Sequence, residues 1–382
     1  MSNKEIPHRD DLVDYGHAVA GHAGVLSDAD GELFIKPCTQ KEIDFYQSAS
    51  EKFIEFTEIM PLFMGTLSLS DPAEVSSAEE DVPTGDVAAA LLQVAETTSA
   101  VAVPPVVTCS AAQEATVPST SQEGAAKDNV TWKPNKDKRI KTTQAIVLEN
   151  CTHGYKKPNV LDAKLGVRLW ADDAPLQKRQ RFDAIAAETT HANYGCRIAG
   201  MRVYQGSHDK TELNEDDYRV YDRDYGRTQV NNDTFVDAVR KFVFNNAAGI
   251  DDALGKAVCG GFAQDLKRIE EILEKHESRM YSASILFVYE GHGETLEAAI
   301  EKNNTLVERI ETFEFKTSRI DSGIVMTEYS EEEEEITITF PKVYTVKLID
   351  FAHAKWVPGE GPDENTLTGV RSLRRIFEEL AA

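Results

Sequence analysis

The chain has no apolar run approaching the ~18 residues of a membrane span. It has only five cysteines in 382 residues and is short of positive charge, with 41 Lys and Arg against 65 Asp and Glu. The N-terminus from Met1 to Asp14 is polar and has no apolar core of the signal-peptide kind. Together these lead to the expectation of a soluble protein that stays inside the cell, without a membrane anchor. The cysteines (Cys38, Cys109, Cys151, Cys196 and Cys259) are odd in number, widely spaced and contain no CxxC pair. That argues against a disulfide framework or a zinc site and leaves ordinary reduced thiols. A net charge of -24 opposes nonspecific binding to nucleic acid or anionic lipid, which need a positive field to displace counterions.

What is present is apolar material, 41% of the chain, enough for a two-lobed globule with a sizeable core. Positive charge is concentrated locally: Thr131 to Arg202 holds 14 Lys and Arg against 7 Asp and Glu, a basic island suited to a phosphate-rich small molecule. From Thr66 to Val130 there is no aromatic residue, no Ile and a single basic residue, Lys127. Such a composition buries too little apolar surface to offset ordering entropy and reads as a disordered insertion, with Val87 to Val94 able to form a short helix. Glu331 to Glu335 is a like-charge run expected to stay solvated in an acidic loop, 328–335.

Two strands, His22 to Ser27 and Glu32 to Lys36, are predicted around the turn at Gly31, and an amphipathic helix over Lys41 to Thr57 follows from Ile43, Tyr46, Ala49, Phe53 and Phe56. Ala145 to Leu148 is a short buried strand, ending where the chain would cross to a second lobe. Beyond it the pattern predicts a basic helix over Pro175 to Glu188, a strand over Arg197 to Tyr204 and a helix over Asp233 to Phe244 capped by Asp233. A longer helix carries Phe262, Leu266, Ile269 and Leu273. Strands follow over Tyr281 to Tyr289, Ile336 to Phe340 and Val343 to Ile349, with a final amphipathic helix through Val370 and Leu380. Early strands followed by mixed elements indicate an α+β bilobal protein rather than a regular βαβ sheet.

Pro158 to Gly166 reads PNVLDAKLG. This PxxxDxKxG pattern resembles the signature of the inositol polyphosphate kinases. Leu33-Phe34-Ile35-Lys36-Pro37, Gly200-Met201-Arg202-Val203-Tyr204, Ser282 to Phe287 and Ile349-Asp350-Phe351-Ala352-His353 stand in the order that family expects. The resemblance covers most of Tyr15 to Ile59 and Ile140 to Leu380 and is closest to the multikinase branch, since only a short helical segment separates Gly166 from Gly200. It implies a protein-kinase-like ATP lobe with an antiparallel sheet (residues 1–66 and 131–149, interrupted by the insertion at 67–130). A larger mixed C-lobe (150–382) would carry the inositol phosphate site at about 172–204. It further implies ATP and Mg2+ as cofactors, inositol polyphosphates as substrates, a nuclear and cytoplasmic location, and transcription factors as candidate partners for the acidic segments.

Phosphoryl transfer needs cations around the phosphates, a metal-binding carboxylate and a placed acceptor hydroxyl. Lys36 ends an apolar strand, from which a long cation either reaches inward to phosphate or lies exposed; the resemblance makes it the ATP lysine. Asp350 ends another apolar strand, where it is either a hard-oxygen ligand for magnesium or a turn cap; the resemblance makes it the metal ligand. Asp162 and Lys164, two residues apart on extended backbone, share a face and form either one polar site or a structural ion pair. By resemblance Asp162 meets the ribose, Lys164 meets the transferred phosphate and acceptor, and the backbone of Glu149 and Cys151 receives adenine. Lys178, Arg181, Arg202 and His353 match substrate contacts, while a solvated helix face is the bland alternative for Lys178, Arg179 and Arg181. A protein kinase fits poorly, with no GxGxxGxV loop, no HRDxxxxN segment, and Ala352 where that family has glycine. Other branches of the same family, or a mainly nuclear scaffold, are the remaining readings.

Overall fold

The structure, a computed structural model, describes residues 11–16, 19, 24–68, 142–311, 315–320, 323–329 and 335–382. The expected insertion at 67–130 lies outside these residues apart from its first two, and so do Glu331 to Glu334 and Cys109.

The N-terminal lobe is an antiparallel sheet of β1 (Val13–Asp14), β2 (Leu26–Ser27), β3 (Leu33–Pro37), β4 (Phe63–Ser68) and β5 (Gln144–Glu149) in the order β1-β2-β3-β5-β4. Alternation along β3 and β5 divides the side chains between two faces. Leu33, Ile35, Ala145 and Val147 form a small cluster on one, while Ile146 and Leu148 join the main core on the other. Lys36, across from Ile146, shares this inner face. The last rung of β4 pairs Ser68 with Gln144, so both ends of the intervening chain are held side by side.

Helix α1 (Gln40–Lys52) buries Glu42, Ile43, Phe45, Tyr46 and Ala49. The single helix predicted to Thr57 breaks at Phe53, whose φ of -131° and ψ of 59° are not helical, and resumes as α2 (Ile54–Thr57). The C-terminal lobe carries β6 (Pro158–Leu165), α3 (Leu176–Glu188), α4 (His191–Tyr194), β7 (Cys196–Tyr204), β8 (Tyr218–Tyr221), α5 (Phe235–Val243) and α6 (Asp252–Lys275). These are followed by β9 (Ser278–Met280), β10 (Ser284–Glu290), α7 (Gly293–Glu311), β11 (Phe315–Ile320), β12 (Gly323–Tyr329), β13 (Glu335–Thr339), β14 (Tyr344–Ile349), β15 (Ala354–Trp356) and α8 (Glu364–Ala381). Its main sheet is antiparallel in the order β14-β10-β6-β7-β8; β11-β12-β13 and β15-β9 form smaller sheets.

The registers align Leu161 with Phe287 and Val346, and Ala163 with Ile285 and Leu348. All six are buried on the face covered by α6 and α8, where Phe262 lies 5.0 Å from Phe287 and 5.1 Å from Phe377, ring to ring. The opposite face presents Val160, Asp162 and Leu286 to the cleft between the lobes. Asp251 and Asp363 cap α6 and α8 by accepting from Leu254 N and Thr366 N.

Three expectations are corrected. Asp233 does not cap α5; Asn231 Oδ1 accepts from the backbone of Asp233 and Thr234 instead. The strand expected from Tyr281 begins at Ser284, because Ser282 holds φ at 62°. The acidic loop expected over 328–335 is bounded by strand: Glu328 and Tyr329 belong to β12, and Glu335 begins β13, paired with Tyr329. The sequence reading did not foresee β1, β4, α4, β8, β9, α7, β11, β12 or β15, and the first two residues of its expected insertion, Leu67 and Ser68, belong to β4. Cys38, Cys151, Cys196 and Cys259 are buried free thiols.

An aromatic stack joins the lobes. Phe45 of α1 lies 4.8 Å from Phe351 and 4.6 Å from Trp356, and Phe53 lies 4.0 Å from Trp356. Trp356 Nε1 donates to Ser48 Oγ at 2.8 Å. Phe351 is fully buried and immediately follows Asp350. Phe351→Ala is expected to destabilise the protein by about 3–5 kcal/mol, the cost of an aromatic-to-alanine cavity. Urea unfolding followed by fluorescence checks it; a loss below ~1 kcal/mol would mean that the lobes do not depend on this stack.

Candidate active site

The registers bring the separated motifs together. Ser284 of β10 lies between Lys164 of β6 and Ile349 of β14 on one rung, so Asp350, the next residue, emerges beside Lys164. Asp350 adopts a left-handed backbone with φ 70°, a conformation that Asp tolerates better than most residues. This turns its carboxylate to meet two lysines: Lys36 Nζ lies 2.7 Å from Oδ1 and Lys164 Nζ lies 3.8 Å from Oδ2. Lys36 also donates to Glu42 Oε1 at 2.8 Å. Burial works against the Lys36 charge, but Asp350 and then Glu42 outweigh it and raise its pKa well above the ordinary range. Lys164 donates to the Ser282 carbonyl at 2.8 Å and reaches Ser284 Oγ at 3.4 Å.

Asp162 stands behind this group, 5% exposed, with Oδ1 lacking a hydrogen-bond partner among the described residues. Burial pushes its carboxyl up to about 6; Lys164, Ser284 and Arg197 pull it down, and Asp350 adds to the rise. Asp162 and Lys164 therefore share one polar site without a direct ion pair. Arg197 of β7 pairs across from Lys164, is 5% exposed, and donates to the Ile198 carbonyl at 3.0 Å. Fully buried His191 stays neutral, driven down to about 3 by burial first, then by Arg197 and Lys164.

A cleft of about 890 Å³, open to solvent, runs from this charged group along the junction of the lobes. Its walls are Phe34, Tyr46, Leu148, Val160, Leu286 and Ile349, with Glu149 and Cys151 at the crossing between lobes. The Glu149 carboxylate accepts from Leu62 N at 3.2 Å and lies 3.8 Å from Lys347 Nζ. An apolar slot ending at Lys36, Asp162 and Asp350, with Lys164 beside Asp350, suits an aromatic base carrying phosphates. No cluster of three or more His, Cys, Asp or Glu able to hold a metal occurs among the described residues. Asp350, with the unsatisfied Asp162 oxygen behind it, nevertheless fits a hard divalent cation that draws its other ligands from phosphate and water.

Beyond Lys164 lies a second basic group. Lys178 Nζ is 3.4 Å from His353 Nε2. Burial lowers the Lys178 pKa, and burial followed by the Lys178 charge lowers that of His353. Arg181 is exposed, nearly one turn further along α3. Arg202, expected with them, is elsewhere: it pairs with Val160, four residues back from Lys164, and its Nη1 donates to the Gly16 carbonyl at 2.9 Å. That expectation came from the resemblance of its motif; the ladder itself has a bulge at Ala199. Asp162 pairs with Gly200 but Ala163 with Ile198, so Arg197 and Arg202, five apart, both stand on the cleft face. Sequence reasoning also missed Glu42, whose signal was a carboxylate among Ile43, Tyr46 and Ala49 on the apolar stripe of α1.

The raised Asp162 pKa carries a linkage consequence. Between about pH 4 and 6 the folded protein retains a proton that the unfolded chain releases, so this group's contribution to stability falls as pH rises through that window. Asp162→Asn is expected to stabilise the ligand-free protein by roughly 2–3 kcal/mol at pH 8 and to have little effect at pH 4. Urea unfolding at the two pH values decides; equal effects at both would show that Asp162 ionises without hindrance.

Residues 145–378 match the family described as inositol polyphosphate kinase. The chain is 29% identical to the inositol polyphosphate multikinase of Saccharomyces cerevisiae, covering 94% of this chain and 96% of that one. It is 26% identical to that of Schizosaccharomyces pombe over 94% and 95%. Human inositol hexakisphosphate kinase 1 is 28% identical, over 64% of this chain and 54% of that one. The fold is similar to the crystal structure of the S. cerevisiae inositol phosphate multikinase in complex with ADP and Mn2+, with a TM-score of 0.56 and 23% identity over 91% of this chain and 99% of that one. Lys36 and Glu42 precede the matched residues, while Asp162, Lys164, Lys178, Arg197, Asp350 and His353 fall within them. With more than half of its length matched, the chain belongs to the inositol polyphosphate kinase family.

Proposed function

We propose that the chain is an ATP- and Mg2+-dependent kinase of the multikinase type, phosphorylating hydroxyls of inositol 1,4,5-trisphosphate to give tetrakis- and pentakisphosphates. The observation that carries this reading is the position of Lys164. Its ammonium lies 3.8 Å from the Asp350 carboxylate at the end of the apolar cleft, and its charge reaches His353, which pairs with Lys178. A phosphoryl group passing from the cleft toward that pair would travel past it.

Adenine enters the slot between Leu148, Val160 and Leu286 and meets the backbone at Glu149 and Cys151, whose side chains turn elsewhere or pack. Lys36 receives the α- and β-phosphates, and its existing pair with Glu42 holds it in place at no further ordering cost. Asp350, with Asp162 beside it, would hold the metal, which would supply neutralising charge to the phosphates. Lys164 stabilises negative charge developing on the transferred phosphoryl group and orients the acceptor hydroxyl, an electrostatic contribution made stronger by the partly buried site. Lys178, Arg197 and neutral His353 receive acceptor phosphates, with Arg181 at the rim. Two buried or half-buried cations and an uncharged imidazole would suit several acceptors, which supports broad specificity.

Purified protein with MgATP and inositol 1,4,5-trisphosphate, resolved by anion-exchange chromatography, is expected to give tetrakis- then pentakisphosphate. A single tetrakisphosphate would replace the multikinase reading by a 3-kinase; no turnover of this acceptor or of inositol hexakisphosphate by folded protein would sink it. Asp350→Asn and Lys164→Met are each expected to lower kcat by about 10²–10³-fold while the far-UV spectrum is unchanged.

A further inference from the structure

We infer that Tyr15, Gly16 and Val19 form the outer wall of the nucleotide cleft, with Tyr15 contacting the nucleotide and Arg202 the positioning residue that holds the wall to the C-terminal lobe. This rests on the nucleotide reading of the cleft given above. Tyr15 and Val19 both line the cleft. The Tyr15 ring meets Phe34 edge-on at 4.9 Å, and its hydroxyl lies 3.3 Å from Asn150 Oδ1 and 3.1 Å from Thr152 Oγ1, the two residues flanking Cys151. Its backbone N donates to Val25 O at 3.1 Å, fixing it to the N-terminal sheet.

The attachment on the other side is built from β7. Arg202 is only 4% exposed, and its Nε and Nη2 have no hydrogen-bond partner among the described residues, so its hold on the segment rests on Nη1, an ion pair and a ring contact. Nη1 donates to the Gly16 carbonyl, Nη2 lies 3.5 Å from Asp216 Oδ2, and the guanidinium stacks 3.8 Å from the Tyr218 ring. Two residues earlier, Gly200 makes room for the same segment: a Cβ there would lie 2.1 Å from the Val19 carbonyl oxygen. The wall thus touches both lobes, through Val25 and Phe34 on one side and Gly200 and Arg202 on the other. Its position next to Asn150, Cys151 and Thr152 sets it against the base end of a bound nucleotide, away from the Lys178–His353 pair. Arg202 accordingly acts on nucleotide affinity through Gly16 and does not touch the acceptor.

The test uses the full chain and two readouts: titration with a fluorescent N-methylanthraniloyl-ADP in the presence of Mg2+, and steady-state kinetics with each substrate varied in turn. Arg202→Met is expected to weaken the ADP probe and raise KM for ATP by about 5- to 20-fold, the loss of a charge-assisted hydrogen bond, while KM for the inositol phosphate stays within about twofold; Arg202→Lys should recover part of the loss. A rise confined to the inositol phosphate KM, or no change in either, would overturn the inference. If Arg202→Met does not fold, Tyr15→Ala reads the same wall, with the same loss expected and unchanged probe affinity counting against it. Failure of the wild-type protein to bind the probe would remove the nucleotide reading itself, and the wall with it; binding by wild type with no effect of either variant removes the wall alone.

Discussion

The Lys36 ammonium, held between Glu42 and Asp350, is the constraint on which the site depends. Taking a charge out of water costs several kcal/mol unless it is paired with good geometry, and here the pairing needs three separate elements in place. Strand β3 supplies the cation, helix α1 one carboxylate, and the end of β14, 314 residues away in sequence, the other. None can move alone without stranding a charge. Because Asp350 also approaches Lys164, the same carboxylate is shared between the two lobes.

Packing beneath the charges makes that arrangement affordable. Glu42, Phe45 and Tyr46 lie on one face of α1; the first meets Lys36 while the other two meet Phe351. The helix that provides a carboxylate is thereby docked on the residue following the other carboxylate. In the C-terminal lobe, strand register does the equivalent work: neighbouring rungs of β14, β10, β6 and β7 place Asp350, Ser284, Lys164 and Arg197 side by side, although the four lie far apart in sequence.

Much of this was legible from residue pattern. Lys36 and Asp350 each end an apolar strand, and Asp162 and Lys164 share a face by simple alternation, but each pattern also had a plain structural reading, and the resemblance of the motifs singled out the four. Glu42 escaped because a glutamate in a charged helix is unremarkable until the helix has a neighbour. Simple alternation would put Arg197 and Arg202, five apart, on opposite faces; the bulge at Ala199 brings both to the cleft face, and a bulge leaves little mark in a single sequence. The helix Gly293–Glu311 was overlooked because Leu296, Ala299, Ile300 and Leu306 make only a thin apolar stripe among charged residues. The strands Phe315–Ile320 and Gly323–Tyr329 have no consistent two-residue alternation to announce them.

The rung between Ser68 and Gln144 has a consequence for how such a chain can change over time. About 75 residues separate these partners in sequence, yet the ladder fixes their positions next to each other. The entropy of closing a flexible connection grows only with the logarithm of its length, about 0.6 kcal/mol for each doubling. For any flexible connection placed at this point, length is nearly uncoupled from the stability of the sheet that carries Lys36. Segments of very different size can be gained, lost or rewritten between β4 and β5 while the charges of the site keep their spacing.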